Sequence, residues 1–258
     1  MAIKTRKISD WLSVNGQAIT NASAASMKAY LEQNLRSLQD GVYIAKMQND
    51  GWGTQTGDEN AIIGSYKRIE PWQTAGIGIS SGDADAIVIL HGGYRLGIAL
   101  TEPSNVMKWG SVQNNSSVGY QTSEDLNTFD GSTRTAGIMA SSYYKNDDPA
   151  TYGVAYCWNY MTNRTEGGRI CQIGKHNWWL PTMGDLALIH QHFETINLAL
   201  QRIKDAGRQS VSLLQRTGYW SCVEALGAYA WGLGFDGGFR FYSGKVDGSY
   251  RVRPVTAF

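Results

Sequence analysis

The sequence predicts an α+β fold, and three features carry the prediction. Past Gly218 large apolar side chains fall on every second residue (Trp231, Leu233 and Phe235, then Phe239 and Phe241), the period of a strand with one buried face. After Thr182 they fall at spacings of three and four (Leu186, Ile189, Phe193, Ile196, Leu200 and Ile203), the period of an amphipathic helix. Between 42 and 100 short apolar runs are bounded by Gly, Asp and Asn, as in strands joined by turns. Thirty glycines against five prolines, with 9 Trp, 14 Tyr and 6 Phe, point to many turns around aromatic clusters and away from a helical bundle.

Taken in order, residues 1–40 read as a small N-terminal appendage. Asn15-Gly16 follows Trp11-Leu12-Ser13-Val14 and suits a tight hairpin, because both residues tolerate positive φ. Residues 24–39 read as a short helix with Met27, Leu31, Leu35 and Leu38 on one stripe and Gly41 past its end. One stripe on a short helix is not self-sufficient. It packs either on the body of the protein or on a second copy of the chain.

A single domain over 41–258 is expected to follow. Val42-Tyr43-Ile44, Ala61-Ile62-Ile63, Ala86-Ile87-Val88-Ile89-Leu90 and Leu96-Gly97-Ile98-Ala99-Leu100 are strand candidates. Residues 110–135 have long-loop composition, rich in Ser, Asn, Thr and Gly, and a helix is expected over about 149–163. The clearest helix opens at Thr182, where Asp185 three residues on completes a capping box with an acid in the first turn. Gly207 closes it.

Net charge is +1, and the 23 basic residues form no run, so nothing marks a nucleic-acid or anionic-membrane partner. No apolar stretch reaches transmembrane length. The start, MAIKTRKISDWLSV, lacks the apolar region of a secretory signal, from which cytoplasmic synthesis is expected. Three cysteines do not make a disulfide framework. Cys157 and Cys171 could pair, although reduced core thiols fit a chain made inside a cell.

Enzyme signatures do not assemble. Gly76-Ile77-Gly78 leads toward a strand and lacks the helix N-terminus that cradles phosphate. Gly168 to Gly174-Lys175 is one residue too long for a P-loop, and His176 stands where a magnesium-binding hydroxyl belongs. His91-Gly92-Gly93 resembles an oxyanion loop without the Gly-x-Ser-x-Gly elbow that goes with it. His190 and His192 point to different faces of the helix and cannot share a metal. Glu102-Pro103-Ser104-Asn105 lacks the oxygen cluster a calcium ion needs and reads as a turn. No catalytic residue, metal site or cofactor is therefore expected. Among the tryptophans, Trp179, Trp220 and Trp231 read as core. Trp178, out of phase with Trp179, is the one expected to be exposed.

In the C-terminal segment, Gly232, Gly234 and Asp236, then Arg240 and Tyr242, alternate with the inward set and are expected to face outward. They share no chemical character. A fixed inner face beside an arbitrary outer one is a way of displaying a binding surface.

The ordered set Trp179-Leu180-Pro181-Thr182, Gly218-Tyr219-Trp220-Ser221, Ala230-Trp231, Phe235, Gly238, Lys245 and Arg251-Val252-Arg253-Pro254-Val255 resembles a known family. These are the bacterial and phage C-type-lectin-like domains that include the variable proteins of diversity-generating retroelements. The resemblance covers about 41–258 and is densest after 177. It implies a C-type-lectin-like fold, with two helices flanking a twisted antiparallel sheet and long loops at one end, and a non-enzymatic role in ligand display. In such systems adenines of asparagine-type codons are randomised, and Lys, Glu, Gln, Met and Trp are unreachable from them. Between Cys222 and Tyr250 only Glu224, Trp231 and Lys245 belong to that set.

The resemblance places variable, ligand-contacting residues at Val223, Leu226, Tyr229, Gly232, Gly234, Asp236, Arg240, Tyr242, Ser243, Val246, Asp247, Ser249 and Tyr250. Lys245, Trp231 and the 251–255 segment become framework. It implies a cell-surface protein or glycan as partner and a phage virion or bacterial cell exterior as setting. The alternative is a structural phage tail or baseplate subunit that assembles through residues 1–40.

Overall fold

The structure is a computed structural model, and it describes residues 13–14, 17–18, 39–48, 59, 62–63, 66–73, 84–111, 126, 129–142, 144, 148–166, 169–207 and 210–258. The chain divides into two compact units, Met1–Gln39 and Asp40–Phe258. In the first, β1 (Ser13–Val14) pairs antiparallel with β2 (Gln17–Ala18), with Val14 opposite Gln17. Asn15-Gly16, where a tight turn was expected, lies outside the described residues. The expected helix over 24–39 lies outside the described residues.

The second unit is α+β, with every strand pair antiparallel. Its central sheet runs β13-β7-β6-β3-β5, from β3 (Gly41–Gln48), β5 (Tyr66–Pro71), β6 (Ala86–His91), β7 (Tyr94–Ile98) and β13 (Val255–Ala257). The apolar runs of β3 and β6 do not alternate because both faces are covered. Val42, Ile44, Ile87, Ile89, Leu96 and Ile98 enter the larger core, while Tyr43, Ala45, Ala86, Val88 and Leu90 pack on Cys171, Ile173 and Trp178. The last three come from or follow a second sheet, β4-β9-β8 (Ile62–Ile63, Arg169–Ile173, Thr162–Glu166). Trp178 is fully buried, its indole N–H donating to the Ile173 carbonyl at 3.2 Å. The expected exposure is thus corrected: the chain between β9 and the next helix passes beneath the central sheet, so both Trp178 and Trp179 find a core.

Four helices are described. α1 (Gly131–Ala140) overlaps residues expected to be loop. Its buried face holds Gly131, Arg134, Thr135 and Ile138, too polar a set to print a hydrophobic period. What fixes it is close approach. A Cβ on Gly131 would stand 2.5 Å from the Trp179 ring, and Thr135 Oγ1 accepts the Leu180 N–H at 3.2 Å. α2 (Gly153–Asn159) is shorter than the expected 149–163.

The long helix after Thr182 is two. α3 (Met183–Gln191) and α4 (Phe193–Asp205) meet at His192, whose φ of −102° and ψ of 13° leave the helical region. The apolar stripe survives the break, and Leu186, Ile189, Phe193, Ile196, Leu200 and Ile203 are all buried. The capping box is present as expected, Thr182 N–H donating to Asp185 Oδ2 at 2.9 Å and Asp185 N–H to Thr182 Oγ1 at 3.0 Å. All three cysteines are buried and free.

Candidate binding surface

A third sheet, β10-β11-β12, is built from Gly218–Leu226, Tyr229–Gly234 and Arg240–Gly244. The outer edge of β10 is covered. Trp220 N–H donates to the Arg251 carbonyl at 2.9 Å and Cys222 N–H to the Pro181 carbonyl at 2.8 Å.

Two buried polar knots hold this sheet. In the first, Glu102 receives the Tyr219 hydroxyl at 3.0 Å, Arg251 at 3.0 Å and Arg253 at 3.1 Å. Arg253 also donates to the Ala99 and Ser212 carbonyls. In the second, Lys245 pairs with Glu224, both essentially inaccessible to water. The Lys245 ammonium also donates to the Gly227 carbonyl at 2.7 Å and lies 5.0 Å from the centre of the Trp109 ring. Burial lowers the lysine pKa, and the pairing with Glu224 offsets only part of that shift. The Trp109 indole N–H reaches the Ser221 carbonyl at 2.7 Å, and that of Trp220 reaches Met107 at 2.9 Å. Glu102, expected in a turn, is the hub of a buried ion network, and Cys222 is fully buried.

The faces of the β11–β12 hairpin do not fall as expected. Trp231 stands opposite Tyr242, Gly232 opposite Phe241 and Leu233 opposite Arg240, and directly opposed residues share a face. The connection spans four residues, Phe235 to Gly238, with Gly234 N–H bonded to the Phe239 carbonyl at 2.9 Å. An even loop puts odd residues of one strand beside even residues of the next. Arg240 and Tyr242 therefore join the face of Trp231 and Leu233, and Phe239 and Phe241 cover the glycines.

This corrects the outward placement of Gly232 and Gly234, which are buried. A Cβ on Gly232 would meet the Phe241 ring and stand 2.5 Å from the Tyr219 carbonyl, and one on Gly234 would stand 2.7 Å from the Phe239 ring. Val223, also expected at the surface, is buried at 2% exposure. Phe239, expected inside, is 54% exposed.

What remains open is one end of the Trp231 face. Leu226 and Tyr242 are each 58% exposed and Tyr229 40%, with Trp231 half-buried beneath them. The Tyr242 ring lies edge-on to Trp231 (5.3 Å, 80°) and to Tyr229 (5.7 Å, 86°). Arg240 is exposed on the same face, while Asp236, Asp247 and Ser249 are exposed on the turns. Ser243 and Val246 are half-buried. Tyr250 is held inward, its ring 4.4 Å from Phe241 and 4.8 Å from Trp220, and its backbone bridged to Met107.

Of the other motifs weighed in the sequence, Gly76-Ile77-Gly78 and Gly168 lie outside the described residues, and the histidines stay apart. His190 packs against Phe235 at 5.7 Å, and His176 adopts a positive φ and stacks on Trp158 at 4.6 Å. Among the described residues no group of three or more His, Cys, Asp or Glu side chains stands close enough to hold a metal ion, and no helix is long and apolar enough to cross a membrane.

No protein-family model and no curated protein matches the chain. Among solved structures it is similar to a fimbrial protein from Bacteroides ovatus ATCC 8483, at 12% identity and a TM-score of 0.40. The match covers 63% of this chain and 35% of that one, so the chain spans about a third of that protein's length. Likeness at this level assigns neither a fold family nor a function.

Proposed function

We propose that this protein is a non-enzymatic recognition protein with a C-type-lectin-like domain, whose C-terminal sheet presents a diversifiable surface to a cell-surface protein or glycan. The observation that carries the reading is a division of labour within one small sheet. Buried ion pairs and tryptophans fix its backbone, and its open end gathers Leu226, Tyr229, Trp231, Arg240 and Tyr242. Tyr, Trp and Arg are the residue types that dominate binding energy at protein interfaces, because each covers much area with few rotatable bonds or makes several hydrogen bonds. The residues carried over from the family narrow accordingly to Leu226, Tyr229, Asp236, Arg240, Tyr242, Ser243, Val246, Asp247 and Ser249. Val223, Gly232 and Gly234 act as packing, and Tyr250 as framework.

The test is retention on a panel of bacterial cells and on an immobilised glycan array, before and after Tyr229→Ala, Arg240→Ala and Tyr242→Ala are combined. We expect wild-type protein to be retained by at least one surface, and the triple variant, with an unchanged melting temperature, to lose that retention at least about tenfold, the scale of one or more hot-spot losses. Equal retention of the two proteins sinks the site assignment.

A further inference from the structure

A concave surface lies among residues that take no part in the β10–β12 sheet. A cleft of about 600 Å³ opens beside the last turn of α2, within the range of small-ligand sites. Tyr156, Tyr160 and Met161 form one wall, the turn at Asp148, Pro149 and Ala150 another, and Asn159 and Lys175 complete the rim.

The lining decides what chemistry fits. Lys175 is already ion-paired with Glu59, so an anion entering the cleft must compete with a carboxylate for that ammonium. Asp148 accepts the Ala150 N–H at 2.9 Å and the Thr151 hydroxyl at 2.6 Å, bonds that hold its carboxyl below the usual range. It is a carboxylate engaged by neutral donors at physiological pH, a modest anchor for a cation. A wholly apolar ligand would strip water from Asp148, Asn159 and Lys175 and return no hydrogen bonds.

The apolar share of the wall has a definite form. The Tyr156 and Tyr160 rings lie 6.0 Å apart at 52°. The Tyr160 hydroxyl shares a 2.8 Å hydrogen bond with Thr101 Oγ1, and burial raises the Tyr156 pKa and keeps that phenol neutral. Asn159 anchors its Nδ2 on the Ala155 carbonyl at 2.9 Å, which fixes its amide. Two tyrosines and a methionine thus line the cleft together with a fixed amide, a carboxylate and an ammonium group. A ligand with a C–H face and a hydroxyl edge satisfies both halves at once.

We infer that this cleft binds a neutral, hydroxyl-rich ring the size of a single hexose. The inference stands apart from the reading of the hairpin, because it uses none of that surface's residues.

The experiment is saturation-transfer NMR on the full chain with glucose, galactose, mannose and N-acetylglucosamine at millimolar concentration, and with methylammonium and acetate as charged probes. Transfer to at least one sugar is expected, with amide shifts at Ala150, Asn159 and Met161 in a labelled sample. Ala150 is exposed on its turn, so Ala150→Trp fills the cleft without touching the core and should weaken that sugar at least about tenfold. No transfer to any sugar overturns the inference. So do shifts confined to residues outside the cleft, undiminished binding by the folded Ala150→Trp variant, or stronger binding of either charged probe. The shift map of the wild-type protein decides the matter if the variant fails to fold.

Discussion

Two glycines, Gly232 and Gly234, show how much a single missing Cβ decides. Both are buried on one face of β11 under phenylalanine rings, yet the obstacles differ. A Cβ on Gly232 would stand 2.5 Å from the Tyr219 carbonyl, a backbone atom of the neighbouring strand that cannot move without breaking the ladder. Gly234 faces the ring of Phe239, 54% exposed and free to swing, and the side chain of Asp236. Gly232→Ala should therefore destabilise the domain by about 1–3 kcal/mol, the cost of overpacking a close contact. Gly234→Ala should lie within about 1 kcal/mol of wild type, since the strain is relieved at the surface and the unfolded chain loses freedom. Urea denaturation of the two variants checks this. Equal costs at both positions would show that the rings, not the Tyr219 carbonyl, set the constraint.

At the scale of elements, the start of α3 couples to the central sheet through one carboxylate. Asp185 closes the capping box and also accepts the Tyr94 hydroxyl of β7 at 2.9 Å. Burial nevertheless pushes its carboxyl up to about 6, so desolvation outweighs three hydrogen bonds. A carboxyl whose folded pKa lies above its unfolded one contributes stability below about pH 4 and loses it as pH rises through about 6. By linkage the loss amounts to roughly 2–3 kcal/mol. Asp185→Asn keeps an acceptor and removes the titration. The difference in unfolding free energy between wild type and variant should change across pH 4–7 in that direction, and a flat difference would refute the shift. How legible these elements were depended on which signal each one used. The α3–α4 stripe was readable because apolar residues at helical spacing must share a face, and Thr182 with Asp185 marked its start. The break at His192 left no mark, because the stripe continues in phase across it. α1 was unreadable, since its fixity comes from Trp179 lying on Gly131, a contact with no local period. The hairpin faces were misread because alternation is blind to the loop that joins two strands. Its four residues reverse the phase, and only the pairing of Gly234 with Phe239 reveals that. Glu102 carried no local sign of its role, because Arg251 lies 149 residues away along the chain.

At the scale of the whole domain, the arrangement separates residues that hold the backbone from residues that merely occupy its surface. A sheet can tolerate arbitrary side chains only where they point into solvent from a backbone fixed by something else. Here that something is the pair of buried knots at Glu102 and at Lys245, and removing one partner of such an ion pair strands a charge in the core at a cost of about 3–5 kcal/mol. The knots draw on 99–109, on 212–227 and on 245–253, so they tie the hairpin to the central sheet independently of what its open end carries. Two libraries separate the roles. One randomises Leu226, Tyr229, Asp236, Arg240, Tyr242, Asp247 and Ser249, all exposed; the other randomises Trp220, Val223, Gly232, Leu233, Phe235, Glu224 and Lys245, all buried. Selection for resistance to proteolysis, read by sequencing, should leave nearly flat residue frequencies in the first library and return close to the native residues in the second. The same partition bears on the proposed diversification. Natural variants of this gene that arise at template adenines should change the first set and spare Val223, Gly232 and Gly234, whose codons would otherwise be equally open to change. If the exposed set proved as intolerant as the buried one, this sheet would be a structural element, and the binding surface would have to be sought elsewhere on the domain.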